Sequence, residues 1–320
     1  MIIEKAKQVL KIESESIQAL INRIDDTFVK AVNLLDKCKG RVVITGIGKS
    51  GIIGKKISAT LASIGVPSIF LHAADGIHGD LGMITSNDMV IAISNSGESE
   101  EILNLLPAIK RFNVTLVSMT GNVNSTLAKK SNIVLNISVK EEACPLGLVP
   151  TASTTATMAL GDALAMALLD KRGFKEKDFA VLHPGGSLGK KLLIQVDDLM
   201  HIGSNIPIIN KDAPLKDVIM EISSKKLGMA IVVNQDDKVL GIITDGDLRR
   251  LMEKKEKDTF KTTAEEMMST NPKTIEKNAL AARALQIMEK HSITSLIITN
   301  GSKGPTGIIH LHDILKAGVV

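Results

Sequence analysis

Five short apolar runs, at 41–45, 68–71, 89–94, 114–119 and 133–137, alternate with stretches of helical character, and this alternation constrains the fold more than any other feature. Strands separated by helical segments build βαβ units, and such units build a parallel sheet covered by helices. The reading is an α/β fold with a five-stranded parallel sheet and flanking helices. Ligands of such sheets bind outside the carboxyl ends of the strands. The loops that follow the five runs are where chemistry is expected.

Upstream, Ile17, Leu20, Ile24, Phe28, Ala31 and Leu35 recur at three- and four-residue steps. That spacing predicts one long amphipathic helix within 1–40, packed on a sheet domain of 41–185. Tyr and Trp are absent and Phe occurs six times in 320 residues, so Leu, Ile, Val, Ala and Met must fill the core. The same scarcity argues against platforms that stack single-stranded nucleic acid. Acidic and basic residues are interspersed and the net charge is +4, which gives no basic groove and no expected nucleic-acid partner.

The most apolar window, 151–169, has Asp162 near its middle and a threonine-rich start, and reads as a buried interface helix, not a membrane span. Cys38 and Cys144 make neither a CxxC pair nor a disulfide framework, which fits a reducing compartment. No apolar signal segment can be drawn at the start of the chain. A soluble, cytoplasmic protein without a membrane partner is expected.

Beyond about residue 197 an internal repeat appears. KLGMAIVV at 226–233 aligns with SITSLIIT at 292–299, and GII at 241–243 aligns with GII at 307–309, both at an offset of 66 residues. Further upstream, Asp198-Leu199-Met200 matches Glu266-Met267-Met268 with a small insertion. Each copy, 197–258 and 264–320, reads helix–strand–strand–helix and is too small to bury its faces alone, so the two are expected to pack as a pair. A linker at 186–196, within and just beyond the glycine-rich stretch HPGGSLG, joins them to the sheet domain.

Three loops after predicted strands carry polar residues. The first, Gly46-Ile47-Gly48-Lys49-Ser50-Gly51, matches GxGxxG, a weak signal alone. A dinucleotide site also needs an acid at the end of the next strand, where Leu71-His72 stands. A P-loop fails because Val43 occupies the first glycine position. In the second, Ser94-Asn95-Ser96-Gly97-Glu98-Ser99, hydroxyls and backbone N–H groups at a helix start suit a phosphate, whose charge the helix dipole favours. A plain helix cap would use Ser96 with Glu98 or Ser99, but needs fewer such residues.

The third loop, 72–80, holds His72, Asp75, His78 and Asp80 without the register of a structural zinc site, so it reads as a polar substrate loop. After the last strand, Glu141 and Glu142 stand where a carboxylate can transfer protons, although a solvated charge is the default for Glu141. Cys144 reads as a buried small hydrophobe. His183 precedes Pro184 and two glycines, so an extended loop conformation is expected.

Together, GIGKSG, HGDLGM, ISNSGES, EACPLGLVPTASTTATMALGDALA and HPGGSLGKKLL resemble the sugar isomerase (SIS) domain of the D-arabinose-5-phosphate isomerase family, and the repeats resemble its paired CBS modules. The resemblance implies reversible conversion of D-ribulose 5-phosphate to D-arabinose 5-phosphate, feeding Kdo biosynthesis for lipopolysaccharide or capsule, in a homotetramer. It implies catalytic positions at Lys49, Glu101, Glu142 and His183, and substrate contacts at His72, His78, Ser94, Ser96, Ser99, Gly48 and Ser50. It requires no cofactor, places an inhibitory zinc at His72, and places a regulatory nucleotide on Thr244, Asp247 and Asp313. Ala73-Ala74-Asp75 departs from the family's usual Pro-Gly-Glu, and His310 stands where the first repeat has Thr244, so two nucleotide sites should not be equivalent.

The implied reaction moves a proton between C1 and C2 through an enediol, and needs a carbon base, an acid for oxygen and oxyanion stabilisation. Glu142 or Glu101 is expected to carry the carbon proton, and His183 or His78 to manage the oxygens or ring opening. Lys49 would stabilise negative charge, and Ser94, Ser96 and Ser99 would hold the phosphate. The competing reading is a non-catalytic sugar-phosphate or nucleotide sensor.

Overall fold

A computed structural model describes residues 1–253, 261–299 and 304–319; the predicted ends of the two repeats at 254–258 and 320 lie outside them. The chain divides into two compact units, Met1–Leu182 and His183–Val320.

In the first unit, α1 (Ile2–Ile21) and α2 (Asp26–Lys37) precede β1 (Val42–Gly46), α3 (Gly48–Ser63), β2 (Ser68–His72), α4 (Ala73–Ile77), β3 (Met89–Ile93) and α5 (Glu100–Arg111). Then come β4 (Thr115–Thr120), α6 (Thr126–Lys130), β5 (Ile133–Asn136), α7 (Ala152–Lys171) and α8 (Glu176–Leu182). The five strands are parallel in the order β2-β1-β3-β4-β5, as the alternating runs predict.

Side chains of successive strand residues enter opposite faces of the sheet. Val42, Ile44, Met89, Ile91 and Ile93 enter one core with α2, α3 and α7, while Val43, Val90 and Ala92 enter the other with Ile102 and Leu105 of α5 and Leu127 of α6. Although α7 is long and apolar enough to cross a membrane, it buries Ala156, Leu160, Leu164 and Leu168 in the first core.

The single N-terminal helix expected over 1–40 is instead two. Asp25 caps α2 by accepting from the N–H groups of Thr27 (2.8 Å) and Phe28, which stops the apolar register from running through and leaves Ile24 exposed. The expected linker at 186–196 is also a correction. It contains a helix, α9 (Ser187–Leu193), and a 3₁₀ turn at Val196–Asp198.

The rest of the second unit is β6 (Ile208–Asn210), α10 (Leu215–Lys225), β7 (Met229–Val233), β8 (Val239–Thr244) and α11 (Asp245–Glu253), followed by α12 (Ala264–Met267) and β9 (Ser269–Thr270). It ends with β10 (Thr274–Ile275), α13 (Ala281–His291), β11 (Ser295–Thr299), β12 (Pro305–His310) and α14 (Leu311–Ala317). The repeat offset of 66 holds from the helix starts at Leu215 and Ala281 to the left-handed caps at Lys226 and Ser292. Met229, Ile231 and Val233 meet Ile297 and Ile308 in a shared core, so the repeats do pack as a pair.

Candidate active site

The parallel register aligns Gly46 with His72 on one side and Ile93 on the other. Three polar loops therefore leave neighbouring strands at one edge of the sheet. The loops after β1 and β3 flank the point where the strand order reverses, the usual ligand crevice of this topology.

After β1, Gly48 adopts φ +56°, a left-handed conformation in which a side chain is strained. It opens α3, whose Gly51 lies against β1: a Cβ there would stand 2.9 Å from the Gly46 carbonyl oxygen. The glycines of this fingerprint thus seat a helix closely on a strand. Gly48 and Lys49 are exposed at the helix start and Ser50 is half-buried.

In the serine loop the hydroxyls divide their work. Ser94 is buried; its Oγ accepts from Gly97 N–H at 3.0 Å and lies 2.9 Å from Ser99 Oγ. Ser94 thus shapes the loop, while Ser96 is exposed and accepts from Glu98 N–H at 3.2 Å. Ser99 occupies the cap position of α5 without a side-chain bond to the helix, which leaves the helix N-terminus uncapped by it.

On the other side, His72 is half-buried, and its Nδ1 is buried without a hydrogen-bond partner, 3.9 Å from Asp75 Oδ2. The unusual Ala73-Ala74-Asp75 forms the start of α4, with Ala73 fully buried. His78 and Asp80 are exposed. One imidazole and one distant carboxylate do not complete a tetrahedral zinc set, and among the described residues no group of three or more His, Cys, Asp or Glu could hold a metal.

Glu142 is held in place. Its Oε2 accepts from Thr151 N–H (2.8 Å), Thr151 Oγ1 (3.0 Å) and Ser153 N–H (3.3 Å), which ties the 142–151 loop to the start of α7. Burial disfavours its ionised form, but the hydrogen bonds from Ser153 and Thr151 outweigh this and hold the carboxyl below the ordinary range. Glu141 is exposed, and no hydrogen bond or ion pair engages the half-buried Glu101 carboxylate among the described residues. Cys144 is half-buried, not buried as expected; backbone N–H groups, that of Val149 first, lower its thiol pKa.

His183 belongs to the second unit. Its carbonyl accepts from Gly186 N–H at 3.1 Å, and a Cβ on Gly189 would lie 2.2 Å from that oxygen, so HPGGSLG is a tight turn into α9. In the same unit, Asp247 is engaged internally: Oδ2 accepts from Thr244 N–H (2.9 Å) and Oγ1 (2.6 Å), and Oδ1 from Arg250 and Ser269. A cavity of about 640 Å³ between the repeats is lined by Thr244, Asp245, Ser269, Lys273, His291 and His310.

Sequence reading missed the groups that hold the site together. Asn95, Thr120, Glu98 and Thr126 fasten the serine loop, and Thr151 and Ser153 fasten Glu142. Their partners lie up to 28 residues away, beyond any local motif. The threonine-rich start of the apolar window is the one available signal for the second group.

Residues 34–167 match the SIS domain family, and residues 196–254 and 264–319 match the CBS domain family. Arabinose 5-phosphate isomerase KdsD of Pseudomonas aeruginosa is 49% identical over 318 residues, covering 99% of this chain and 97% of that protein. The Escherichia coli K12 enzyme of the same name is 46% identical over 317 residues, covering 99% and 96%. A solved structure, that of E. coli CFT073 c3406 in complex with arabinose 5-phosphate, is 42% identical with a TM-score of 0.56, and covers 57% of this chain and 97% of its own. Identity at this level across both units, over a sheet edge built as described, places the chain in the arabinose 5-phosphate isomerase family, with a SIS domain followed by a CBS pair.

Proposed function

We infer that the chain is an aldose–ketose isomerase that interconverts D-ribulose 5-phosphate and D-arabinose 5-phosphate. The observation that carries this is the 49% identity to an arabinose 5-phosphate isomerase across 99% of the chain. The relative solved with arabinose 5-phosphate bound, at 42% identity over 57% of this chain, supports the same sugar phosphate.

In this reading the phosphate sits at the uncapped start of α5, with Ser96 and Ser99 as hydroxyl partners and Ser94 as the buried post of the loop. Lys49 supplies a positive charge for the enediolate from the neighbouring loop. Glu101 is the carbon base, because its carboxylate is unengaged, whereas the bonds on Glu142 lower its basicity and make it the anchor of the 142–151 loop. His78 or His183 moves protons at the oxygens, and His72 lines the substrate.

Incubation with ribulose 5-phosphate in heavy water tests this. Proton NMR should show an aldose phosphate with deuterium at C2; tight binding with unchanged substrate would instead indicate a sensor. We further propose a cytoplasmic homotetramer supplying Kdo biosynthesis, and a regulatory nucleotide in the cavity between the repeats. Light scattering tests the first, and calorimetric titration with adenine nucleotides the second.

A further inference from the structure

Glu98 is a carboxylate inside a loop that has to receive an anion. Its Oε1 accepts from Thr126 N–H at 2.7 Å, the first backbone donor of α6. That N–H and the Thr126 side chain, with a smaller contribution from Lys129, hold the carboxyl below its ordinary range, so the group is charged at neutral pH. Other bonds run in parallel: Gly121 N–H to Asn95 carbonyl (2.9 Å), Leu127 N–H to Gly97 carbonyl (3.1 Å), and Thr120 Oγ1 to Asn95 carbonyl (3.4 Å). Gly97, at φ +68°, is pressed so closely on this turn that a Cβ would stand 2.0 Å from Ser125 Oγ.

We propose that Glu98 is a positioning residue for phosphate recognition, fixing the 94–99 loop on the turn at 120–127 while keeping its own charge engaged away from the substrate. The proposal rests on the phosphate assignment made above. A loop carrying an unengaged carboxylate would repel a sugar phosphate; with the carboxylate tied to Thr126, the hydroxyls and N–H groups of the loop are left to the ligand.

The geometry allows a selective test. Thr126 is the first residue of α6, where proline is tolerated, and Ser125 before it is already extended at φ −65° and ψ 165°, as a residue before proline must be. Thr126→Pro therefore removes both bonds that Thr126 offers Glu98, the N–H and the hydroxyl, and Thr126→Ala, which keeps the N–H, separates the two. Steady-state kinetics with ribulose 5-phosphate should show Glu98→Ala raising KM on the order of tenfold, with kcat within about twofold. Thr126→Pro should raise KM further by freeing the charge, and that excess should shrink with added salt. The double variant should return to the Glu98→Ala value, and Glu98→Gln, which keeps an acceptor, should lie nearest wild type.

Unchanged KM in both Glu98→Ala and Thr126→Pro, or a loss confined to kcat, overturns the proposal. Should Glu98→Ala fail to fold, Thr126→Pro and Glu98→Gln decide it. Absence of turnover in the wild-type protein overturns the isomerase reading instead. The same variants titrated calorimetrically with arabinose 5-phosphate would then decide the loop's role.

Discussion

His201 Nε2 lies 2.9 Å from Asp313 Oδ2, in the place that Ser269 Oγ and Asp247 Oδ1, 3.2 Å apart, occupy in the other half of the CBS pair. The correspondence follows the sequence offsets, 66 within the repeats and 68 for their leading segments. Where the first repeat sets Ser269, Thr244 and Gly246 about Asp247, the second sets His201, His310 and His312 about Asp313. One half thus sets an arginine, Arg250, and uncharged groups about its aspartate, and the other sets three histidines.

Acidification should weaken the second unit through His310. Burial lowers its pKa; Asp313 opposes this, while His312 and His201 add to it. Asp245, Lys273 and His291 line the same cavity. A histidine with a depressed folded pKa binds more protons when unfolded, so its stability contribution is lost as pH falls through about 6.5 toward the folded value. Calorimetric melts between about pH 7.5 and about 5 should show the second unit's transition falling, and His310→Thr should flatten that slope. A slope unchanged in His310→Thr would assign the acid sensitivity elsewhere.

The leading segments cross over. His201 bridges Ile308 of the second repeat and Gln195 bridges Leu280, while β9 pairs with β8 of the first repeat and Thr263 bridges Pro214. Val196 is fully buried in the core of the second repeat. Each repeat is therefore completed by the other's leader. A fragment of residues 262–319 should remain unfolded by circular dichroism, whereas residues 183–319 should melt cooperatively; a folded short fragment would refute the crossover's importance.

Gly161 in α7 faces Ile57 of α3 so closely that a Cβ would lie 2.4 Å from Ile57 Cδ1. Glycine to alanine in a helix normally stabilises by up to about 1 kcal/mol. Here overpacking should reverse the sign, with Gly161→Ala costing about 1–3 kcal/mol and lowering the first unit's melting temperature. Ile57→Ala should relieve much of the added strain in the double variant. A higher melting temperature for Gly161→Ala alone would contradict this packing.

Much of the fold is legible in the residues because the strands are short, apolar and regularly interrupted, so that periodicity alone locates all five within a residue or two. Ile24 shows where periodicity misleads: it keeps the helical register of Ile17 and Leu20, yet the capping carboxylate of Asp25 ends the register locally. The site is legible as loops but not as bonds. Ser94 reads as a phosphate ligand, and its burial and its bond from Gly97 N–H are not in the motif; Glu142 reads as one of two candidate bases, and the bonds from Thr151 and Ser153 are not in the motif either. Long-range hydrogen bonding decides which polar side chains remain available, and a linear motif does not encode it.

That distinction separates the two candidate carboxylates. If Glu101 is the carbon base, Glu101→Gln should lower kcat by about 10²–10⁴-fold and leave KM within a few-fold. Glu142→Gln keeps an oxygen for Thr151 and Ser153 but loses the charge that strengthens those bonds, so the loop loosens and KM rises together with a smaller fall in kcat. Single-turnover exchange of the C1 proton into heavy water isolates the proton step. It should be nearly abolished in Glu101→Gln and persist at reduced rate in Glu142→Gln. The reverse pattern would make Glu142 the base despite its bonds, and Glu101 a bystander at the start of α5.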